Sequence, residues 1–174
     1  QVNGPNGSGK TSLLRMLCGL ARPAHGEIRW LGDNIRSLDE DYYNSITYLG
    51  HLNGVNDNLN AIENLRISSA LAGNGIDEST AYASLQKMGL VGREILPVKV
   101  LSQGQRRRVT LARLLVSDTV LWILDEPLVA LDTSAVLLVK GILEQHLEKG
   151  GMVVMTTHQD INIAAIETKR LQLN

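Results

Sequence analysis

Gly4-Pro5-Asn6-Gly7-Ser8-Gly9-Lys10-Thr11 fits the pattern G-x-x-x-x-G-K-[ST] at every fixed position, and a Leu-rich helical run follows it directly. Glycines in such a loop let backbone N–H groups turn inward around a phosphate, and the following helix directs its positive N-terminal end at the same anion. A Gly/Asn-rich turn that only opens a helix is the alternative. The complete match, followed by an apolar helix, favours a phosphate-binding loop.

The last two residues of this loop carry its side-chain chemistry. Lys10 supplies a positive charge to the β- and γ-phosphates of a nucleotide, and the hydroxyl of Thr11 is placed to ligate Mg²⁺. ATP and Mg²⁺ are therefore the expected ligands. The backbone that surrounds the phosphates comes from Gly4, Pro5, Asn6, Gly7, Ser8 and Gly9.

Composition narrows the class of protein. The chain has 174 residues, 44% of them hydrophobic, which suits one globular domain with a real core. Its formal net charge of -1 provides no basic field for nucleic acid, so we expect no nucleic-acid partner. The longest apolar runs are far shorter than the ~20 residues of a membrane-spanning helix, so any link to a membrane must go through a partner. Cys18, within a Leu-rich helix, is expected to be a buried thiol with no disulfide partner.

Apolar runs alternate with capped helical segments along the chain. Strands are predicted at residues 26–32, 46–49, 120–124 and 152–155, with weaker signals at Ile35 and near 171–173. Helices are predicted to begin near Thr11, Asn60, Asp77, Ser102 and Asp132. Strands that alternate with helices predict an α/β domain whose site lies at the carboxyl ends of the strands.

Little sequence precedes the phosphate loop. Such a loop connects a buried strand to a helix, and only Val2 represents that strand, so we infer that N-terminal strands are missing. From this inference we expect the chain on its own to bind nucleotide weakly.

An acidic pair, Asp125-Glu126, follows the apolar run at 120–124. On an exposed turn two adjacent carboxylates are usually only solvated. After a buried strand, in a chain with a phosphate loop, Asp125 is placed to hold Mg²⁺ and Glu126 to polarise the attacking water.

A second anion-binding surface is predicted at Leu101-Ser102-Gln103-Gly104-Gln105. Ser102 is placed to cap the helix that follows, so the helix N-terminus and the backbone at Gly104 can face a phosphate. The basic run of Arg106 and Arg107 is interpreted as a solvated helix face. The histidines His25 and His146 are interpreted as surface residues.

These motifs together resemble the ATP-binding cassette family. Residues 101–105 of this chain match the family signature Leu-Ser-x-Gly-Gln, and Arg108-Val109 and the strand that ends in Asp-Glu-Pro follow it. The resemblance implies a P-loop NTPase core with a mainly parallel, RecA-like sheet and a helical subdomain specific to the family. In this chain the core corresponds to 1–51 and 118–174 and the helical subdomain to 52–117, within a single domain. ATP hydrolysis in a head-to-tail homodimer, with two ATP molecules between the subunits, is also implied.

The resemblance assigns roles to further residues. Ser102, Gly104, Gln105 and Asp132 would face the ATP held by the other subunit, and His158 would meet the γ-phosphate as the switch histidine. His51 stands where the family usually has a glutamine that reaches Mg²⁺, and Gln103 stands where a second glycine is common. Imidazole is a poorer Mg²⁺ partner than an amide oxygen.

Within the family, the segments Tyr48-Leu49-Gly50-His51 and Thr156-Thr157-His158-Gln159-Asp160 resemble the haem exporter ATPases of cytochrome c maturation. This implies a peripheral subunit on the cytoplasmic side of a bacterial inner membrane, bound to integral-membrane subunits of that system. Its ATP hydrolysis would power haem delivery or release of the haem-loaded chaperone. The chain has no C-x-x-C-H sequence, and we do not predict that it binds haem.

Three alternatives remain open. The same motifs suit a transporter ATPase with another cargo. A chromosome-maintenance ATPase is disfavoured, because residues 52–100 carry no sustained heptads of a long coiled coil. A nucleotide-gated module that binds ATP without hydrolysis is disfavoured by the presence of Lys10, Asp125, Glu126 and His158.

Overall fold

A computed structural model describes residues 1–157, 163 and 168–174; His158, for which a switch role is predicted, lies outside this part. The strands are β1 (Val2–Asn3), β2 (Arg29–Trp30), β3 (Asp33–Asn34), β4 (Ile46–Leu49), β5 (Leu121–Asp125), β6 (Met152–Thr156) and β7 (Leu171–Gln172). The helices are α1 (Lys10–Leu17), α2 (Ile35–Leu38), α3 (Glu40–Tyr43), α4 (Ala61–Leu71), α5 (Glu78–Lys87), α6 (Gln103–Leu111) and α7 (Thr133–Glu148), with 3₁₀ turns at Val98–Val100 and Ala112–Val116.

Five parallel strands form the main sheet, in the order β4-β5-β6-β1-β7. Every residue of β5 is buried, as expected for a central strand covered on both faces. Asp125 at the end of β5 pairs with Thr156 at the end of β6, and Val2 of β1 pairs with the same Thr156. The carboxyl ends of three neighbouring strands therefore meet at one edge, as the α/β prediction requires.

The hydrophobic core beneath this edge joins α1 to the sheet. Leu14 and Cys18 of the α1 segment pack with Leu121 and Ile123 of β5, all four being buried. Cys18 is a free thiol whose pKa is raised to about 12 by burial, which confirms the inert core cysteine. This packing fixes the start of α1, where the phosphate loop ends.

The predicted helix caps at three positions are confirmed. Asn60 and Glu63 form a reciprocal capping box at the start of α4, and Asp77 accepts from the backbone N–H of Thr80 in α5. Asp132 accepts from the N–H of Ala135 at 2.8 Å, capping α7.

The segment after Trp30 differs from the sequence prediction. The strand predicted at 26–32 is reduced to β2, which pairs with β3 in a separate antiparallel hairpin. Ile35, interpreted as a possible strand start, instead begins α2, because the Asn34 side chain accepts from the N–H of Arg36 and caps a helical turn.

The chain separates into two compact units. The first comprises Gln1–His51, Thr119–Pro127 and His146–Asn174, and the second comprises Leu52–Asp118 and Leu128–Gln145. The sequence prediction placed residues 128–145 with the α/β core, whereas compactness groups them with the helical unit.

Two contacts explain this grouping. Arg108 of α6 donates from Nη2 to both carboxylate oxygens of Asp132, at 2.9 and 2.8 Å. A Cβ placed on Gly104 would lie 2.8 Å from the carbonyl oxygen of Ala130, so α6 and the segment before α7 approach at backbone distance. Neither contact follows from the pattern of either segment alone.

His146 is not the free surface residue that the sequence suggested. Its ring stacks on Trp122 with the centroids 3.7 Å apart and the planes 7° from parallel. Its Nε2 lies 3.1 Å from the carbonyl oxygen of Val120 and 3.3 Å from that of Met152. Burial lowers the pKa of His146, and the two carbonyls oppose this shift only in part. His25, by contrast, is exposed as predicted.

We expect the stability of the chain to fall on acidification below the ordinary histidine pKa of about 6.5, in part through His146. Because the folded-state pKa is lowered, the unfolded chain binds the proton more readily. The stabilising contribution is complete above pH ~6.5 and is lost as the pH falls through the lowered pKa. His146→Phe keeps a ring against Trp122 but cannot bind a proton. The midpoint of its urea unfolding should therefore fall less between pH 7.5 and pH 5 than that of the unsubstituted chain.

His25→Phe is the matched control, because it removes an exposed histidine of the same unit. An unchanged pH slope in His146→Phe would contradict the assignment.

Candidate functional site

The phosphate loop runs from the end of β1 to the first residue of α1, as the sequence predicts. Gly7 (φ 86°) and Gly9 (φ 94°) adopt left-handed backbone conformations, and Gly9 is the N-cap residue of α1. At Gly4 the constraint is space, because a Cβ there would lie 2.5 Å from Ser8 Oγ and 2.7 Å from the carbonyl oxygen of Leu173. The loop therefore needs glycine for two different physical reasons.

Lys10 is bound to its own loop. Its side chain is buried, and Nζ donates to the carbonyl oxygens of Gly4 at 2.8 Å and of Pro5 at 3.0 Å. An ammonium has three protons to donate, so this arrangement holds the charge at the loop while leaving capacity for a phosphate oxygen.

A chain of hydrogen bonds joins the loop to the ends of β5 and β6. Thr11 Oγ1 donates to Asp125 Oδ2 at 2.8 Å, and Thr156 Oγ1 donates to Asp125 Oδ1 at 2.7 Å. The backbone N–H of Glu126 in turn donates to Thr156 Oγ1 at 2.9 Å. Asp125 is only 2% exposed, so its carboxylate lies in a low-dielectric setting with both oxygens hydrogen-bonded.

Glu126 has an unusual backbone and a partly open side chain. Its φ is 49°, a left-handed conformation that is uncommon outside glycine and concentrates at functional sites. Its side chain is 19% exposed, and its carboxylate lies 3.8 Å from Nδ1 of His51, whose side chain is 62% exposed. His51 therefore approaches Glu126 at a distance too long for a hydrogen bond.

These groups share one open cleft of about 600 Å³. Its lining residues are Asn6, Gly7, Gly9, Lys10, Thr11, Ser12, His51 and Glu126. The cleft brings together the predicted phosphate loop, Glu126 and His51, and Thr11 connects it to Asp125 beneath.

The residues fit a magnesium nucleotide. The loop offers N–H groups and an ammonium for phosphates, and Thr11 with Asp125 offers hard oxygen donors side by side. Within the described ranges, no cluster of three or more His, Cys, Asp or Glu side chains forms a closed metal cage. Mg²⁺ commonly uses one or two protein oxygens together with phosphates and waters, so an open donor pair suits it.

The second predicted anion-binding surface lies at the start of α6, in the second unit. Ser102 Oγ accepts from the N–H of Gln105 at 3.2 Å, and Gln105 Oε1 accepts from the N–H of Ser102 at 2.9 Å. Ser102 therefore caps α6 as predicted. Asp132, in the same unit, has its pKa lowered chiefly by the backbone hydrogen bond from Ala135 and further by Arg108.

The basic run after this cap differs from its interpretation as a solvated face. Arg107 is 2% exposed, and Arg106 donates to Asp57 Oδ1 at 2.9 Å and to the carbonyl oxygens of Lys99 and Leu101. Helical periodicity across three consecutive arginines cannot show which one turns inward; only the packing does.

Thr156 is the site residue that sequence reasoning missed. It is fully buried at the end of an otherwise apolar strand. The sequence did carry a signal for this residue. Thr156 directly follows the apolar run of one predicted strand, just as Asp125 directly follows the apolar run of another, and the two strands lie side by side in register.

Comparison with known proteins gives a consistent result. A family model described as ABC transporter matches residues 1–129. The chain is 73% identical over 173 residues to the cytochrome c biogenesis ATP-binding export protein CcmA of Nitrosospira multiformis, covering 99% of this chain and 84% of that protein. It is 64% identical to the protein of the same name in Nitrosomonas europaea, covering 99% of this chain and 81% of that protein.

Solved structures agree on the fold. An ATP-binding cassette in a dimeric post-hydrolysis state, bound to ADP and Pi, superposes with a TM-score of 0.84 at 27% identity, over 99% of this chain and 79% of that one. An ATP-binding protein of a putative ABC transporter from Pyrococcus furiosus gives a TM-score of 0.82 at 27% identity, over 99% of this chain and 82% of the other.

Proposed function

The chain belongs to the ABC transporter family of ATPases, and from this premise we propose that it is the ATP-hydrolysing subunit of a complex that serves cytochrome c maturation. The observation that carries the chemistry is the single cleft in which the phosphate loop and Glu126 face each other. The cytochrome c assignment is supported by 73% identity to an export protein named for that process.

The reaction is transfer of the γ-phosphoryl group of ATP to water. The loop and Lys10 hold the phosphates, and Thr11 and Asp125 would hold Mg²⁺, which offsets the charge that develops on the phosphate oxygens. The water oxygen bonds to the γ-phosphorus while the bond to the β–γ bridging oxygen breaks, giving ADP and phosphate. Glu126 takes the proton that the water loses.

We further propose that two copies close on ATP. Ser102, Gly104, Gln105 and Asp132 of one copy would face the nucleotide held by the other, and His158 would hold the attacking water near the γ-phosphate. One matched cassette is described as dimeric, which supports the closed pair. The reciprocal cap of Ser102 and Gln105 presents an ordered helix N-terminus for an anion.

Over the described ranges, no helix is both long enough and apolar enough to cross a bilayer. We propose that the chain attaches to the cytoplasmic side of the inner membrane through integral-membrane subunits of the cytochrome c maturation system. There, ATP hydrolysis would power haem delivery or release of the haem-loaded chaperone.

Complementation tests this function. A bacterium that lacks its own cytochrome c biogenesis ATP-binding export protein should regain haem-stained c-type cytochromes when it expresses this chain, and should not regain them with Glu126→Gln. If the purified chain hydrolyses ATP but does not restore c-type cytochromes, it is an ATPase that serves another cargo. Restoration of c-type cytochromes by the Glu126→Gln variant would show that ATP hydrolysis with Glu126 as the base is not required for this function.

His51 gives a separate prediction. His51→Gln replaces an imidazole by an amide whose oxygen is a harder ligand, so we expect the Mg²⁺ concentration for half-maximal ATPase activity to fall several-fold. A Mg²⁺ titration at saturating ATP measures this, with His25→Gln as an exposed control. A higher Mg²⁺ requirement in His51→Gln would show that the imidazole itself assists the ion.

A further inference from the structure

We propose that Thr156 is a positioning residue for ATP hydrolysis, whose single hydroxyl fixes the orientation of both Asp125 and Glu126. The inference rests on the ATPase function proposed above and adds a residue outside the cleft lining. Thr156 would act through its two neighbours and touch neither nucleotide nor water.

The hydroxyl of Thr156 is used in two directions at once. Its proton goes to Asp125 Oδ1 at 2.7 Å, and its oxygen accepts the N–H of Glu126 at 2.9 Å. A hydroxyl has only one proton, so donation to Asp125 leaves it an acceptor towards Glu126. The direction of each bond is thereby set.

Asp125 is held from two sides by this arrangement. Thr11 donates to Oδ2 and Thr156 donates to Oδ1, so two hydroxyls fix the plane of the carboxylate. Thr11 belongs to the phosphate loop and is expected to turn towards Mg²⁺ when nucleotide binds. The bond from Thr156 lies at the buried end of β6 and would then keep the carboxylate in place.

Glu126 depends on Thr156 through its backbone. A non-glycine residue with φ of 49° needs surrounding contacts to hold it, and the Thr156 oxygen supplies one at the N–H of that residue. Without this acceptor the backbone can rotate towards a more ordinary φ, which would move the carboxylate that takes the proton from water.

The sequence context supports a specific role for the hydroxyl. Thr156 is 0% exposed and ends β6, whose preceding residues are Met152, Val153, Val154 and Met155. Valine has the same shape and would continue this apolar run with better burial energetics. Thr156 is paired with Asp125 in the sheet, and its two hydrogen bonds explain why a hydroxyl rather than an apolar side chain is buried there.

Two substitutions separate the hydroxyl from packing. Thr156→Val keeps the shape and removes the hydroxyl; Thr156→Ser keeps the hydroxyl and removes a methyl group. We expect Thr156→Val to lower kcat by about 10- to 100-fold, the scale of a misplaced reacting group. Thr156→Ser should keep kcat close to that of the unsubstituted chain, even if its melting temperature falls more.

Thr47→Val is the matched control, because Thr47 lies in β4 of the same sheet, its hydroxyl pairs with that of Thr119 at 2.8 Å, and it does not line the cleft. It should leave kcat unchanged. Equal losses in Thr156→Val and Thr156→Ser would assign the residue to packing, and a fully active Thr156→Val would show that the hydroxyl is not used. Either result overturns the proposal.

A binding measurement keeps this test separate from the ATPase function itself. If the unsubstituted chain shows no turnover, the proposed function fails, and the inference is decided by the gain in affinity for a fluorescent ATP analogue on adding Mg²⁺. Loss of this gain in Thr156→Val, with retention in Thr156→Ser, supports the positioning of Asp125. The same gain in both variants overturns it.

Discussion

Glu126→Gln is expected to reduce ATP turnover by about 100-fold or more, because removal of a general base commonly costs 10²- to 10⁴-fold. Glutamine has the shape of glutamate but cannot take a proton from water. The backbone N–H of residue 126 still donates to Thr156 in the variant, so the left-handed turn after β5 should be preserved. The loss should therefore fall on kcat and leave ATP binding nearly intact.

The measurement is phosphate release at saturating ATP and Mg²⁺, beside ATP affinity from a fluorescent analogue. Glu144→Gln is a suitable control, because Glu144 carries a carboxylate on α7 that pairs with Lys140 at 3.7 Å. Size-exclusion chromatography with ATP adds a second readout: if two copies close on ATP as proposed, slow hydrolysis should prolong the dimer of the Glu126→Gln chain. If the Glu126→Gln chain turns over ATP within a few-fold of the unsubstituted chain, Glu126 is not the general base.

Local signals account for the part of the fold that the sequence predicted well. Asn60 with Glu63, and Asp77, are polar caps placed before helical runs, and each operates within one turn of chain. The apolar run that ends at Asp125 identifies a buried strand without reference to any other segment. Gly7 and Gly9 of the phosphate loop are equally local, since a left-handed φ and an N-cap position are properties of single residues, whereas Gly4 is also constrained by the distant carbonyl oxygen of Leu173.

The features that the sequence did not predict arise between segments. Arg107 and Arg106 are neighbours in one basic run, yet one is buried and the other pairs with Asp57. Thr156 acquires its hydrogen bonds only because β5 and β6 end in register. The pKa of His146 is lowered by burial, and its ring stacks on Trp122, a residue of a different element. Hydrophobic periodicity predicts which face of one helix or strand is apolar. It does not predict which residues of a neighbouring element pack against that face.

Lys10→Ala is expected to have the second large effect, a loss of ATP affinity. Hydrogen bonds to charged groups contribute about 1.5–3 kcal/mol, so losing the ammonium–phosphate contact should raise the Kd for ATP by about 10- to 150-fold. The substitution also removes the bonds from Nζ to Gly4 and Pro5, which hold the loop in shape before nucleotide arrives. Turnover should fall with binding, because we propose that the same charge stabilises the phosphate oxygens in the transition state.

Lys10→Arg should not rescue this loss. Nζ lies between two carbonyls of a tight loop, at 2.8 and 3.0 Å, and a planar guanidinium is larger and needs a different donor geometry. Lys140→Ala is the control, since Lys140 is a half-buried lysine paired with Glu144 on α7. Titration with a fluorescent ATP analogue distinguishes the outcomes. An arginine variant that binds ATP as the unsubstituted chain does would mean that charge alone suffices; failure of both variants, with Lys140→Ala unaffected, requires a compact ammonium shared between the loop carbonyls and the phosphates.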